Sequence, residues 1–402
     1  MGEDRKEVLT MRPISRLPVP PQSRGARTRR RGAVLAFTVI SIVVLIGFAS
    51  LTIDVGYMYS VRADLQNAAD AAAITAASAY ATDQAIIARV AGDDEAASTL
   101  SNLAFSRSAT LTNLNASLGR GSTIFEATDL TLGRIALGAS TDPIDPGAPV
   151  SAFNAVRAVA RRDEGSANGR VELFFARIFG YSETDVTASA VAAFDDRVVA
   201  VAGGSLIPFT IHINIFENEM ANGSDAYEYD ATSEAVSSGS DGVHEIHLYP
   251  YDNSPGNFGL LDIGPSSNSA NDLKTQIEDN IPHEHLEMTF GTADFRFVDD
   301  EGNPATYLVS GNPGLKASLQ DAIQSRVGDV VGVFVHNGVS GNGANTKYNV
   351  VGLRFVRVMD VKLSGNPKYL RVQPVVYSRD GITVDPGAPS TNGLIGNLVL
   401  AR

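Results

Sequence analysis

The sequence predicts an α+β protein: a transmembrane helix continues into a long Ala-rich helix, followed by a mixed α/β region and a β-rich C-terminal domain. Three observations carry this. Residues 33–53 form a run of 21 uncharged residues, 16 of them Ala, Val, Ile, Leu or Phe. Apolar residues recur at helical spacing over 58–79, and beyond Ala200 the pattern turns largely to a period of two. The 402 residues, 44% apolar and 19% charged, suffice for more than one folded domain. The expected segments are a basic cytoplasmic tail (1–32), the transmembrane helix (33–53), the Ala-rich helix (54–90), an exported mixed region (91–196) and an exported β-rich domain (197–402).

The net charge of −13 conceals an asymmetry. Residues 1–32 carry nine Arg or Lys against three acids, whereas the rest carries 23 basic and 42 acidic residues, a net −19. A body this acidic is repelled by phosphate backbones, so nucleic acid is not an expected partner. Cysteine is absent, which excludes disulfides, thiolate metal sites and a cysteine nucleophile.

At the helical rise, residues 33–53 extend roughly 30 Å, the thickness of a bilayer's hydrocarbon core. Arg24, Arg27, Arg29, Arg30 and Arg31 precede the run, while Asp54 follows it. The positive-inside bias then keeps the N-terminus cytoplasmic, with residues 54–402 periplasmic or extracellular on a single-pass inner-membrane anchor. A cleavable signal, with Gly47-Phe48-Ala49 as the processing site, is the competing reading. Its apolar core would be unusually long, and cleavage would cut a continuing helix.

Past the membrane, Met58, Val61, Leu65, Ala69, Ala72 and Ala76 fall on one stripe, close to a heptad seam, with Asn67 and Asp70 facing away. Alanine buries little area but permits close backbone approach, so the stripe suits a helix that packs on another helix. Packing on its own domain is the plainer alternative. Asp54 lies on the same stripe and reads as a water boundary or an assembly contact.

These residues carry a resemblance. An arginine-led apolar segment followed by "IDVGYMYSVRADLQNAADAAAITAAS" resembles the N-terminal segment of TadE/TadG-like proteins of the tight-adherence (Flp) pilus assembly systems. "VELFFARIFGYSETDVTASAVAAF" (171–194) is similar to the end of the exported N-terminal region in that group. "PGNFGLLDIG", "GDVVGVFVHNG" and "KYNVVGLRFVRVMDVKLSG" resemble the C-terminal half of some members. The resemblance implies a single-pass membrane or envelope protein serving pilus biogenesis, not an enzyme. Its partners would be the lipid bilayer and other pilus-assembly or pilin-like proteins. Prepilin-type processing would fall after Gly32, but Phe37 stands where a glutamate usually accompanies it, which argues against cleavage there. The D-x-S-x-S metal motif of the von Willebrand A domains found in some members is absent.

Further along, "GDDEAASTLSNLAFSRS" reads as a helix with acids in its first turn. "STDPIDPGAP" (140–149) is a loop, "NAVRAVAR" and "TDVTASAVAAF" are strands, and "VELFFARIF" is strand or short helix. In "LIPFTIHINIF" the alternation of Ile207, Phe209, Ile211, Ile213 and Ile215 predicts one strand. Val351, Leu353 and Phe355 predict another. Helices are expected at "SANDLKTQIEDNI" and "NPGLKASLQDAIQSRVG", the latter capped by Asn312 with Pro313 first. Residues 221–242 and 336–347 read as exposed loops.

No metal or cofactor is expected. His244 and His247 would point to opposite faces of a strand, and His283, His285 and Glu287 supply at most three ligands. Asp299, Asp300 and Glu301 precede a turn without calcium-loop spacing. No nucleophile elbow, H-E-x-x-H or phosphate loop is present, so a catalytic role has no starting residue. The alternatives are an anchored surface adhesin or binding module using residues 221–242, and an exported metal-dependent hydrolase.

Overall fold

One α-helix, α1 (Arg29–Ala77), carries both the uncharged run and most of the alanine-rich stretch in the computed structural model. The structure describes residues 29–117, 123–137, 144–251, 253–265 and 269–401. The basic tail before Arg29 and residues 140–143 of the expected loop lie outside them. The chain divides into two units: residues up to Tyr57 with Leu173–Ser182, and Met58–Glu172 with Glu183–Arg402.

In the first unit, residues 34–53 of α1 are apolar on every side and none is buried. Gly32 is helical and exposed. The segment Leu173–Ser182 is a loop closed by the Leu173 N–H donating to the Ser182 carbonyl at 2.9 Å, with a single 3-10 turn at Ala176–Phe179.

In the second unit the helix does not run unbroken to residue 90. It tightens into a 3-10 turn at Ser78–Ala81, where buried Tyr80 donates its hydroxyl to the Ala155 carbonyl at 3.0 Å. It restarts as α2 (Asp83–Ala91), which ends at Gly92 in the left-handed conformation (φ 65°) that glycine accommodates. Helix α3 (Asp94–Ser117) follows, with Asp94 and Glu95 in its first turn as the sequence predicts.

Strands β1 (Leu130–Gly133) and β2 (Ala155–Arg162) come next. The short pair β3 (Val171–Glu172) and β4 (Glu183–Thr184) precedes β5 (Val186–Asp195). Then come β6 (Val198–Ala202) and β7 (Leu206–His212). The predicted strand over 206–216 therefore stops early. His212 caps helix α4 (Ile213–Asn222) by accepting from the Asn214 N–H, and Phe216 is buried on the helical period. All of β7 but His212 is buried, so its two faces gave no true inside–outside alternation to read.

The expected loop at 221–242 holds a hairpin instead, β8 (Tyr227–Asp230) with β9 (Ala235–Ser238). After β10 (Ile246–Tyr249), helix α5 (Ala270–Glu278) begins with a capping box between Ser269 and Asp272. Helix α6 (His283–Phe290), β11 (Asp294–Arg296) and β12 (Tyr307–Ser310) follow. Helix α7 covers only Gln320–Gln324, behind a 3-10 turn at Ala317–Leu319. The expected start at Asn312-Pro313 fails because Gly314 sits at φ 80°, outside helical geometry. The chain ends with β13 (Val330–Ser340), β14 (Lys347–Lys362), β15 (Tyr369–Pro374), β16 (Ile382–Val384) and β17 (Asn397–Ala401). β13 thus takes in residues 336–340 of the loop expected over 336–347.

Besides the two-stranded pairs β3–β4 and β8–β9, three larger sheets organise this α+β unit among the described residues. One has the order β1-β2-β5-β17, all antiparallel. The largest has β10-β15-β14-β13-β7, with β12 also paired to β14 and only β13–β7 parallel. The third is β11-β6-β16. Because the final strand completes the first sheet beside β5, the expected boundary at 197 does not separate two units. The main core gathers Leu206, Phe290, Phe295, Phe334, Leu353 and Phe355.

Candidate functional site

The junction where the uncharged run of α1 meets its first charge is a built site. Asp54 directly follows Ile53 and is 2% exposed. Its carboxylate accepts three backbone hydrogen bonds from the loop: Phe174 N–H at 2.9 Å, Phe175 N–H at 2.9 Å and Ala176 N–H at 2.6 Å. Three consecutive donors opening a 3-10 turn leave both oxygens satisfied across 120 residues of sequence. Burial raises the pKa, but the donors from Ala176, Phe174 and Phe175 outweigh it and hold the carboxyl below the ordinary value. Asp54 therefore stays ionised at neutral pH. One turn on, Tyr57 meets the Phe174 ring edge-on, centroids 5.3 Å apart.

The same loop exposes four large apolar side chains: Phe174 at 62%, Ile178 at 79%, Phe179 at 71% and Tyr181 at 68%. Sequence reasoning singled out Asp54 but not its partners or these side chains. The available signal was an aromatic-rich run, "FFARIFGY", in a segment of undecided secondary structure.

The alanine stripe is occupied by the chain itself. Val61, Leu65, Ala69, Ala72 and Ala76 are buried and Met58 is half-buried, while Asn67 is exposed and Asp70 partly so. Gln66 Nε2 donates to the Ser189 carbonyl of β5 at 3.2 Å, and Arg107 of α3 donates to the Ser78 carbonyl at 3.0 Å. The alternative of packing on its own domain accounts for this burial, and the stripe is not open to a separate helix.

The polar residues considered for chemistry disperse. His283 and His285 lie on helix α6, two residues apart and so on different faces. His285 Nδ1 is 3.1 Å from Gln276 Nε2, and His244 Nδ1 is 3.0 Å from the Met220 carbonyl. Asp299 closes a turn, accepting from the Glu301 N–H at 3.1 Å and the Asn303 N–H at 2.8 Å. No group of three metal-ligating side chains converges among the described residues. His336 is fully buried between Tyr348 and His212, with ring centroids 4.8 and 5.3 Å away. Burial, helped by neighbouring His212, pushes its pKa down to about 4, so it is neutral at physiological pH.

No curated protein and no solved structure matches the chain. Two family models do. The Tad model, described as Flp pilus-assembly TadE/G-like, matches residues 32–79. The Tad_C model, described as Tad-like Flp pilus-assembly, matches residues 58–192. Together they take in all of α1 from Gly32, the loop that Asp54 holds, and the first sheet as far as β5. Through residues 32–192 the chain is similar to the TadE/G-like Flp pilus-assembly families.

Proposed function

We propose that the protein is a single-pass anchor of the inner membrane, with a cytoplasmic N-terminus, that holds residues 54–402 on the outer side as an assembly component of a Tad-type pilus. The observation that carries this reading is the helical run 34–53, apolar on every side with no residue buried, within a chain whose residues 32–192 match pilus-assembly family models. A solvent-exposed surface of that kind is stable only where the solvent is hydrocarbon. The arginine cluster ahead of it supports the orientation.

In this reading the stripe from Met58 to Ala76 works inside the protein, locking the second half of the helix to the exported unit. Contacts with other pilus components then fall to exposed surfaces. The role is structural, without catalysis.

The test is fractionation of the full chain. It should sediment with membranes, resist carbonate extraction, and lose nearly everything after Asp54 to protease added outside the inner membrane. Recovery of soluble protein whose N-terminus begins near Ser50 would overturn the anchor. Because Leu65 is buried, a cysteine placed there should give no crosslink between chains, whereas efficient crosslinking would return the stripe to a partner helix.

A further inference from the structure

We propose that the loop Leu173–Ser182 is a second membrane contact: an interfacial foot whose Phe174, Ile178, Phe179 and Tyr181 enter the headgroup boundary of the bilayer that α1 crosses. The proposal rests on the anchor reading and adds a lipid-binding surface to it.

Position comes first. Asp54 is the residue immediately after the apolar run, and its carboxylate is bonded to three successive N–H groups of the loop. The loop is thereby fixed within one residue of the level at which α1 leaves hydrocarbon. Tyr57, packed against Phe174, braces the attachment one turn further on.

Chemistry comes second. Four large apolar side chains, each more than 60% exposed, occur within eight residues, and Leu51, Ile53 and Val55 of α1, around the Asp54 to which the loop is bonded, are exposed as well. An apolar patch of this kind in water marks an interaction surface. Here its occupant follows from the loop's attachment at the end of the exposed run of α1, which already needs lipid around it. Phe, Ile and a Tyr with its hydroxyl at the edge are the side chains that settle at a membrane interface, where an apolar body meets a polar boundary.

The ionised Asp54 is compatible with this place. Its charge is spent on backbone donors, so neither it nor the N–H groups of residues 174–176 meet lipid unsatisfied. Interfacial elements of this kind sit about 5–10 Å into the headgroup–acyl boundary, which sets the depth to look for.

The chain has no cysteine, so single positions can be labelled cleanly. Full-length protein is reconstituted into phosphatidylethanolamine/phosphatidylglycerol vesicles with an environment-sensitive fluorophore at one of three cysteines: Ile46→Cys in the run, Phe179→Cys in the loop, or Leu308→Cys. Leu308 is an exposed apolar residue of the other unit, 63% accessible, and controls for apolarity alone.

Lipids brominated near the headgroup should quench the label at 179 about twofold or more beyond the label at 308, as an interfacial depth requires. Lipids brominated at the chain ends should favour 46. Quenching at 46 with a label at 179 as water-exposed as that at 308 would sink the foot while leaving the anchor standing. Absence of quenching at 46 would sink both.

Discussion

Residues 34–53 and 58–77 belong to one helix, yet they solve opposite problems. In the first stretch Val, Ile, Leu and Phe surround the axis and none is covered by protein. In the second, burial is confined to a stripe through Val61, Leu65, Ala69, Ala72, Ala73 and Ala76, while Arg62, Asp64 and Asn67 remain exposed. The same backbone thus carries two kinds of apolar surface. A circumference of large side chains needs no shape-matched neighbour, because lipid conforms to it. A narrow row of methyl groups gains little from area and stabilises only when another backbone comes close.

Charging the stripe should give the largest effect. Ala72 is fully buried, so Ala72→Arg adds a long charged side chain where there is no room, at a cost of about 4 kcal/mol from overpacking and charge burial together. Thermal unfolding of the detergent-purified protein should show a large fall in Tm. An unchanged Tm would mean that the stripe is not packed on its own domain.

Acidification should act on the second unit through His336. His336 is neutral when folded, with its pKa pushed down to about 4, against the ordinary value of 6.5. Its contribution is complete above about pH 6.5 and is lost between there and about pH 4, because only the unfolded chain takes up the proton in that window; the loss amounts to about 3 kcal/mol. Denaturant unfolding of wild type and of His336→Phe, at pH 7.5 and pH 4.5, should show a smaller acid loss in the variant. Equal losses would remove His336 as the cause.

Charging the first half should separate the two stretches. Val43→Arg, at the centre of the run, should disfavour insertion by about 3 kcal/mol. The variant is expected to leave the membrane fraction in part, with the melting of the second unit unaltered. Full membrane retention would contradict a spanning helix. Smallest of all is Asp70→Arg on the open side of the stripe. It loses the bond from Gln66 Nε2 at 2.8 Å and should shift stability by about 0.5 kcal/mol. A loss approaching that of Ala72→Arg would show that both sides of this stretch are packed.

The adhesin reading can be sharpened by the same logic. Deleting residues 221–242 would strip the partners of buried Glu245, which accepts from the Ser224 hydroxyl at 2.7 Å and the Tyr227 N–H at 3.1 Å. Shortening only the hairpin turn at 231–234 leaves those bonds in place. Lost adhesion with pili intact would then speak for a binding surface.

Some of this molecule is local and was therefore legible. The run 33–53 identifies itself by composition, Asp94 and Glu95 mark the start of α3, and Ser269 with Asp272 marks that of α5, because hydropathy and capping act within a few residues. The residues that resemble the pilus-assembly family are likewise contiguous in sequence. Other features depend on partners far away in the chain. Period two over 206–216 could not reveal that His212 ends the strand and caps a helix, since the strand is buried on both faces. The hairpin at 227–238 is fastened by Glu245 and by the Tyr227 hydroxyl bonded to Asp360, and β17 finds β5 some 200 residues back. By itself the sequence determined that a stripe of alanines must be covered and that one aspartate follows the apolar run. Only the tertiary structure decided that the cover is the chain itself and that Asp54 takes hold of residues 174–176, because burial and hydrogen bonding between distant segments are set by which surfaces meet.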